Sequence, residues 1–162
     1  MAHEKIWAPW RLSYIVTTKE HQPEGCFLCR YAADPAADKE NLVLARSPRT
    51  LTVLNRYPYN NGHILVAPLA HKANIEDLDD DELLECMRAL QDMTRLMRQR
   101  MSAEGFNIGV NLGRIAGAGV PGHLHWHLVP RWSGDTNFMP VLADVNVIPQ
   151  SLAALHEWLT SK

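Results

Sequence analysis

The run GHLHWHLVPRW, residues 122–132, sets His123, His125 and His127 at alternate positions within an otherwise apolar stretch. Leu124, Trp126, Leu128 and Val129 complete a pattern of period two, which predicts a β-strand with one apolar face and one imidazole face. Side chains two apart on a strand stand about 6.5 to 7 Å from each other, so the three rings are expected to form a line roughly 13 Å long. Such a line exceeds the reach of one small ion. Two neighbours can ligate a metal with help from elsewhere, whereas a trio at one catalytic zinc needs a second strand. Buried histidines bonded to backbone explain one such residue better than three on a single face.

Neutral imidazole is a nucleophile that needs no deprotonation near pH 7, because its reference pKa of about 6.5 leaves most of it unprotonated. Attack on a phosphoryl group makes a phosphoramidate-type covalent intermediate, and charge gathering on the non-bridging oxygens then calls for donors. The adjoining turn RIAGAGVPG, residues 114–122, can offer backbone N–H groups where side chains would block approach. Arg114 can clamp phosphate. By itself the turn is equally explained as a flexible connection between strands.

Outward from this run, the pattern is that of an α+β domain with an antiparallel sheet. NLVLAR (41–46), RTLTVLNRYP (49–58), GHILVAP (62–68) and FNIGVNLG (106–113) are each short apolar or alternating runs, expected to be strands. Residues 74–104 switch to helical spacing, with Leu83, Met87, Leu90, Thr94, Met97 and Met101 as the apolar stripe and the methionines as core filler. Asp79, Asp80, Asp81 and Glu82 supply a cap and an acidic first turn, which explains them more simply than a metal or partner site does. Gly105 is the expected stop. A terminal helix over 149–159 aligns Leu152, Leu155 and Leu159 after Pro149. Residues 1–40 form an irregular N-terminal arm, with Trp7 and Trp10 expected to pin it.

The 162-residue chain suits one domain that buries a core without disulfides. Its net charge of -2 argues against nucleic-acid binding through bulk electrostatics. No apolar run approaches the ~20 residues that cross a bilayer, and no signal-peptide pattern opens the chain, so a cytoplasmic protein with no membrane partner is expected. Three cysteines do not make a disulfide framework. Cys26 and Cys29 form a Cys-x-x-Cys pair: redox, a zinc half-site or coincidence. The flanks lack a thioredoxin-like βαβ context, which puts zinc first. Cys86 falls among helix core positions and is expected to be inert. Trp126 points away from the histidines into the core. His3, His21 and His156 have no motif around them and default to surface or packing roles.

HLHWHLVPRW resembles the His-x-His-x-His-x-x signature of the histidine triad (HIT) superfamily. VLNRYPYNNGHILVAPLAHKANI (53–75) resembles that family's strand-loop-strand segment, and residues 107–141 resemble its diadenosine polyphosphate hydrolase and phosphorylase branch. The resemblance implies a HIT-like antiparallel sheet over residues 41–162 with one long helix and a C-terminal helix, beyond an arm (1–40) that carries the cysteine pair. It implies an enzyme cleaving the α-phosphate linkage of dinucleoside polyphosphates such as diadenosine tetraphosphate. His125 would be the nucleophile, forming a nucleotidyl-histidine; His127 would contact phosphate and position the leaving group; His63 would stand behind this catalytic face. Asn55 would reach the ribose side and Asn111 would orient phosphates, with Arg114, Gly117 and Gly119 of the turn as further phosphate contacts. Many members carry Ser or Thr and Gln before the triad, whereas here the loop reads AGAGVPG and Val120 and Pro121 offer no side-chain donor. Relatives that bind structural zinc imply Cys26, Cys29, His71 and His123 as ligands, the last serving both the metal and the catalytic row. A homodimer is also implied. Other readings are a nucleoside phosphoramidase of the same family, a non-catalytic zinc-stapled nucleotide-binding module, and a metallohydrolase ligated by His123, His125 and His127.

Overall fold

The computed structural model describes residues 25–136 and 147–161. The expectations for Trp7, Trp10, His3 and His21 lie outside them. Five strands form one antiparallel sheet: β1 (Val43–Arg46), β2 (Thr50–Leu54), β3 (Ile64–Pro68), β4 (Gly105–Val110) and β5 (Trp126–Arg131), in the order β1-β2-β3-β5-β4. Every residue of β2 and β3 is buried, because both faces of the sheet are covered there. On one face, Ile64, Val66, Trp126 and Leu128 pack with Cys86, Leu90 and Met97 of the long helix α2 (Asp80–Met101) and with Leu155 and Leu159 of α3 (Leu152–Thr160). On the other, Val53, Leu65 and Ala67 pack with Leu28 of the short helix α1 (Phe27–Ala33). His127 shares that second face, opposite Leu65 and Gly109 in register.

The acidic stretch at the start of α2 is a capping box. Asp79 accepts from the Glu82 N–H at 2.8 Å, and Glu82 accepts from the Asp79 N–H at 2.9 Å. Glu82, nearly buried, also takes the Lys72 ammonium at 2.7 Å, and the Lys72 carbonyl accepts from the Leu124 N–H at 2.7 Å. The helix start thereby anchors both the 70–72 loop and the chain entering β5. His156 is buried and bonded through Nε2 to the Val43 carbonyl, tying α3 to β1. Gly62, at φ 79, turns the chain into β3; a Cβ there would meet Met101 and Pro130 at 3.1 Å.

Four expectations are corrected. The helix begins at Asp80, a separate 3-10 turn occupying Ile75–Asp77, and it ends at Met101 with Ser102 in the left-handed region (φ 51), so Gly105 opens β4 instead of stopping α2. Its buried stripe is Glu82, Cys86, Leu90, Met93 and Met97, rotated from the expected one so that Met87 is exposed; the sheet meets α2 along the line through Cys86. The histidine strand covers only Trp126–Arg131, because Leu124 bonds to the 70–72 loop and pairing with β3 starts at Trp126. The terminal helix starts at Leu152 behind the Ser151 cap.

The rotated stripe has a measurable consequence. Met97→Ala is expected to lower unfolding free energy by about 2 to 5 kcal/mol and Met87→Ala by under about 0.5 kcal/mol, read from denaturant midpoints. Similar losses at the two positions would contradict the stripe.

Candidate active site

His125 lies just before β5, nearly buried, and its Nδ1 sits 2.8 Å from the carbonyl oxygen of His123. A carbonyl only accepts, so Nδ1 carries the hydrogen and Nε2 keeps its lone pair. Burial is the main reason the imidazole pKa falls below its ordinary value, with the charge of His123 adding to it and the bond to the His123 carbonyl opposing it. The neutral, nucleophilic form is the one this environment favours.

His127, on β5, has the opposite tautomer, set from two residues away in space. The backbone N–H of Tyr59 donates to Nδ1 of His63 at 3.1 Å, with the Asn55 amide at 3.2 Å from the same nitrogen. The hydrogen of His63 is therefore on Nε2, which donates to Nδ1 of His127 at 2.9 Å. Nε2–H of His127 is left as a buried donor with no protein partner. Burial, followed by the neighbouring imidazoles, pushes the pKa of His63 down to about 3, and burial together with His125 pushes that of His127 down to about 4. One lone pair and one unbonded N–H thus stand on adjacent rings whose centroids are 5.1 Å apart.

Tyr59, which the sequence did not single out, also uses its ring here. It packs on His63 at 4.6 Å and stacks on His127 at 5.9 Å with a 20° interplanar angle. The loop RYPYNN carries no periodicity to mark it. Asn55 additionally accepts from the Tyr57 N–H at 2.9 Å, so its side chain holds the loop as well as His63. Asn111 is half-buried just beyond β4, and Arg114, Gly117 and Gly119 sit exposed in the turn, Gly117 at φ 89.

His123 is turned away from the other two. Its Nε2 donates to the Pro68 carbonyl at 2.8 Å, leaving Nδ1 to face Cys26 Sγ at 3.2 Å and Cys29 Sγ at 3.5 Å. His71 Nδ1 is 3.2 Å from Cys29 Sγ. Both ring nitrogens of His123 are thus engaged, and what it offers His125 is its carbonyl. The donor atoms of Cys26, Cys29, His71 and His123 all lie within 4.8 Å of one another. Tetrahedral zinc with two thiolates and two imidazoles needs donors ~3.3 to 3.8 Å apart; three pairs already stand at 3.2 to 3.5 Å, and small side-chain shifts bring the rest of the set to that spacing, so the residue types and their placement suit a closed metal site. Burial resists ionisation of Cys26, yet bonds from His123 and the Cys29 backbone bring its thiol down to about 6, while Cys29 is raised by burial and by Cys26. Cys86, buried in the core, is pushed up to about 11, as its inert role requires. Among the described residues this is the one cluster with metal-ligand spacing, and His125 is not part of it. The row of three histidines as joint ligands is not what the side chains form.

Residues 36–134 match the model of the HIT domain family. The chain is 37% identical over 158 residues to an AP-4-A phosphorylase of Mycobacterium tuberculosis, the match covering 92% of this chain and 78% of that one. It is 26% identical over 137 residues to an adenosine 5'-monophosphoramidase of Schizosaccharomyces pombe, covering 83% and 91%. In fold it resembles a zinc-bound histidine triad family protein from Mycobacterium smegmatis with TM-score 0.67 and 24% identity, covering 84% of this chain and 91% of that one.

The depressed imidazoles make stability depend on pH. An unfolded histidine takes up its proton near pH 6.5, at about its reference pKa, whereas folded His63 and His127 stay neutral down to about 3 and about 4. Their contribution is full above about pH 6.5 and declines as pH falls below it. Melting temperature should drop more steeply between about pH 6.5 and 4.5 in the wild type than in His127→Asn; parallel slopes would contradict the neutral pair.

Proposed function

The chain belongs to the HIT domain family, and from that premise we propose that it cleaves the α-phosphate linkage of dinucleoside polyphosphates of the diadenosine tetraphosphate kind, with inorganic phosphate as the preferred acceptor. The observation that carries this reading is the pairing of opposite tautomers: a lone pair on His125 Nε2 beside an unpartnered N–H on His127 Nε2. In the first displacement, His125 Nε2 bonds to the α-phosphorus and the bond from phosphorus to the bridging oxygen breaks. The departing nucleoside polyphosphate keeps that oxygen and the electron pair. Its phosphate has a second pKa of about 6, so it leaves unprotonated and needs from His127 only a hydrogen bond. In the second displacement an acceptor oxygen attacks the adenylyl-histidine from the vacated side and returns the electron pair to His125.

The acceptor follows from the same tautomers. Water must lose a proton, and His127 presents a donor where a base would be needed. Phosphate arrives already ionised. The similarity to a protein named AP-4-A phosphorylase supports this choice. Asn55 acts through His63 and the loop; Asn111 and the backbone of the 113–119 turn, with Arg114, are the remaining candidates for holding phosphate oxygens. A peptide N–H can serve where Val120 and Pro121 provide none from side chains.

We assign Cys26, Cys29, His71 and His123 to a structural zinc ion. When bound, zinc supplies a closed four-ligand staple between α1, the 70–72 loop and the chain entering β5. The Pro68 carbonyl fixes the ring of His123 in the ligating tautomer. Free thiols of this kind suit a reducing, cytoplasmic setting. No helix among the described residues is long and apolar enough to cross a membrane. The outer edge of β4, with Ile108 half exposed, is the surface we assign to a homodimer.

Diadenosine tetraphosphate incubated with the protein should yield ATP plus ADP when phosphate is present, and ATP plus AMP to the extent that water competes. His125→Asn should retain nucleotide binding and lose turnover by roughly three orders of magnitude or more. Turnover of adenosine 5'-phosphoramidate in place of the dinucleotide would identify a phosphoramidase instead, and binding without any turnover a recognition module. For the metal, elemental analysis should find one zinc per chain, and a strong chelator should lower the melting temperature by about 5 °C or more. A chelator-insensitive, zinc-free protein would refute the staple.

A further inference from the structure

A cavity of about 300 Å³ opens beside His127, with Tyr59, Val129 and Val147 as its aromatic and apolar walls and Asn107, Arg131 and Asp135 as its polar ones. Val129 lies two residues beyond His127 on the same strand face, so the cavity begins about 6.5 to 7 Å past that ring, on the side away from His125. His127, whose Nε2–H is the donor proposed for the leaving group, stands between His125 and the cavity, so a phosphate chain held by that donor can continue toward it. Tyr59 joins the two places, since its half-exposed ring stacks on His127 and also lines the cavity.

The lining indicates what the cavity takes. Arg131 is bound by Asp135, with Nε 2.5 Å and Nη2 3.0 Å from the carboxylate oxygens, and its Nη1 donates to Asn107 at 2.9 Å. The guanidinium charge is therefore cancelled within the wall, and the described lining residues present an aromatic face, valines and amides with no net charge among them. Phosphate oxygens gain little there. An uncharged ring system with hydrogen-bonding edges matches it, and about 300 Å³ falls at the lower end of small-molecule sites.

We infer that this cavity is the subsite for the nucleoside of the departing half of the substrate, its base stacked on Tyr59 and its edge or ribose met by the amide of Asn107. The inference rests on the polyphosphate-cleaving reading above and extends it from the reacting phosphorus to the far end of the substrate. Because the cavity starts beyond His127, several bridging phosphates are needed to reach it from an α-phosphorus at His125. The site therefore selects for a second nucleoside carried on a long phosphate chain.

The test compares kcat/KM for diadenosine tetraphosphate and for adenosine 5'-tetraphosphate, which share the reacting phosphorus and the phosphate chain and differ in the second nucleoside. The wild type should prefer the dinucleotide about tenfold, the discrimination one stacked base supplies. Asn107→Phe, which fills the cavity from the wall it lines on β4, and Tyr59→Ala, which removes the platform, should each bring the ratio to within about twofold of unity. A wild-type ratio near one, or a tenfold preference that survives both substitutions, overturns the inference while leaving the cleavage reading intact. Failure of the wild type to turn over either substrate, with no adenylyl-histidine trapped, overturns the cleavage reading and this inference with it.

Discussion

The hydrogen bond from His125 Nδ1 to the carbonyl of His123, two residues back in the same chain, is the constraint on which the site depends. It selects which nitrogen of the central imidazole is free, and it does so with a backbone oxygen that cannot exchange roles. Such a bond requires the chain at 123–125 to leave the regular ladder, since within a strand that carbonyl would point to a neighbour. The early end of β5 at Trp126 is therefore part of the chemistry, and the capping box of α2, Glu82, Lys72 and Leu124 form the brace that holds the chain in that path.

His123 couples two environments that differ in kind. Its ring belongs to a cysteine-histidine cluster and its carbonyl to the imidazole pair, so anything that orders the cluster also orders the nucleophile's hydrogen-bond acceptor. The second environment is governed by burial: His63 and His127 are neutral because the sheet and the 55–63 loop exclude water from them, and neutral imidazoles can pass a defined donor-acceptor polarity along a row.

Much of this was legible in the sequence for physical reasons. Short apolar runs bounded by turn residues marked the central strands, since β2 and β3 are buried on both faces, and capping chemistry marked the start of α2, since Asp79 and Glu82 are spaced to bond each other's backbone. The cysteine pair, His71 and His123 were named together and do converge. Three kinds of information were not in the pattern. The rotation of the buried stripe on α2 is decided by where the sheet lies, not by helical period. The carbonyl of His123 and the N–H of Tyr59 are main-chain groups and carry no residue signature. Tyr59 itself meets His127 across a loop, a contact between distant segments that no local spacing encodes.

The polarity of the His63–His127 row originates in the peptide N–H of Tyr59. Every amino acid except proline provides that group, so the direction in which protons are presented is inherited from the shape of the loop and is insensitive to which side chain stands at position 59. At one position the side chain supplies a ring face to its surroundings while the peptide N–H beneath it fixes the tautomer of the row, so the two roles of residue 59 are carried by separate groups.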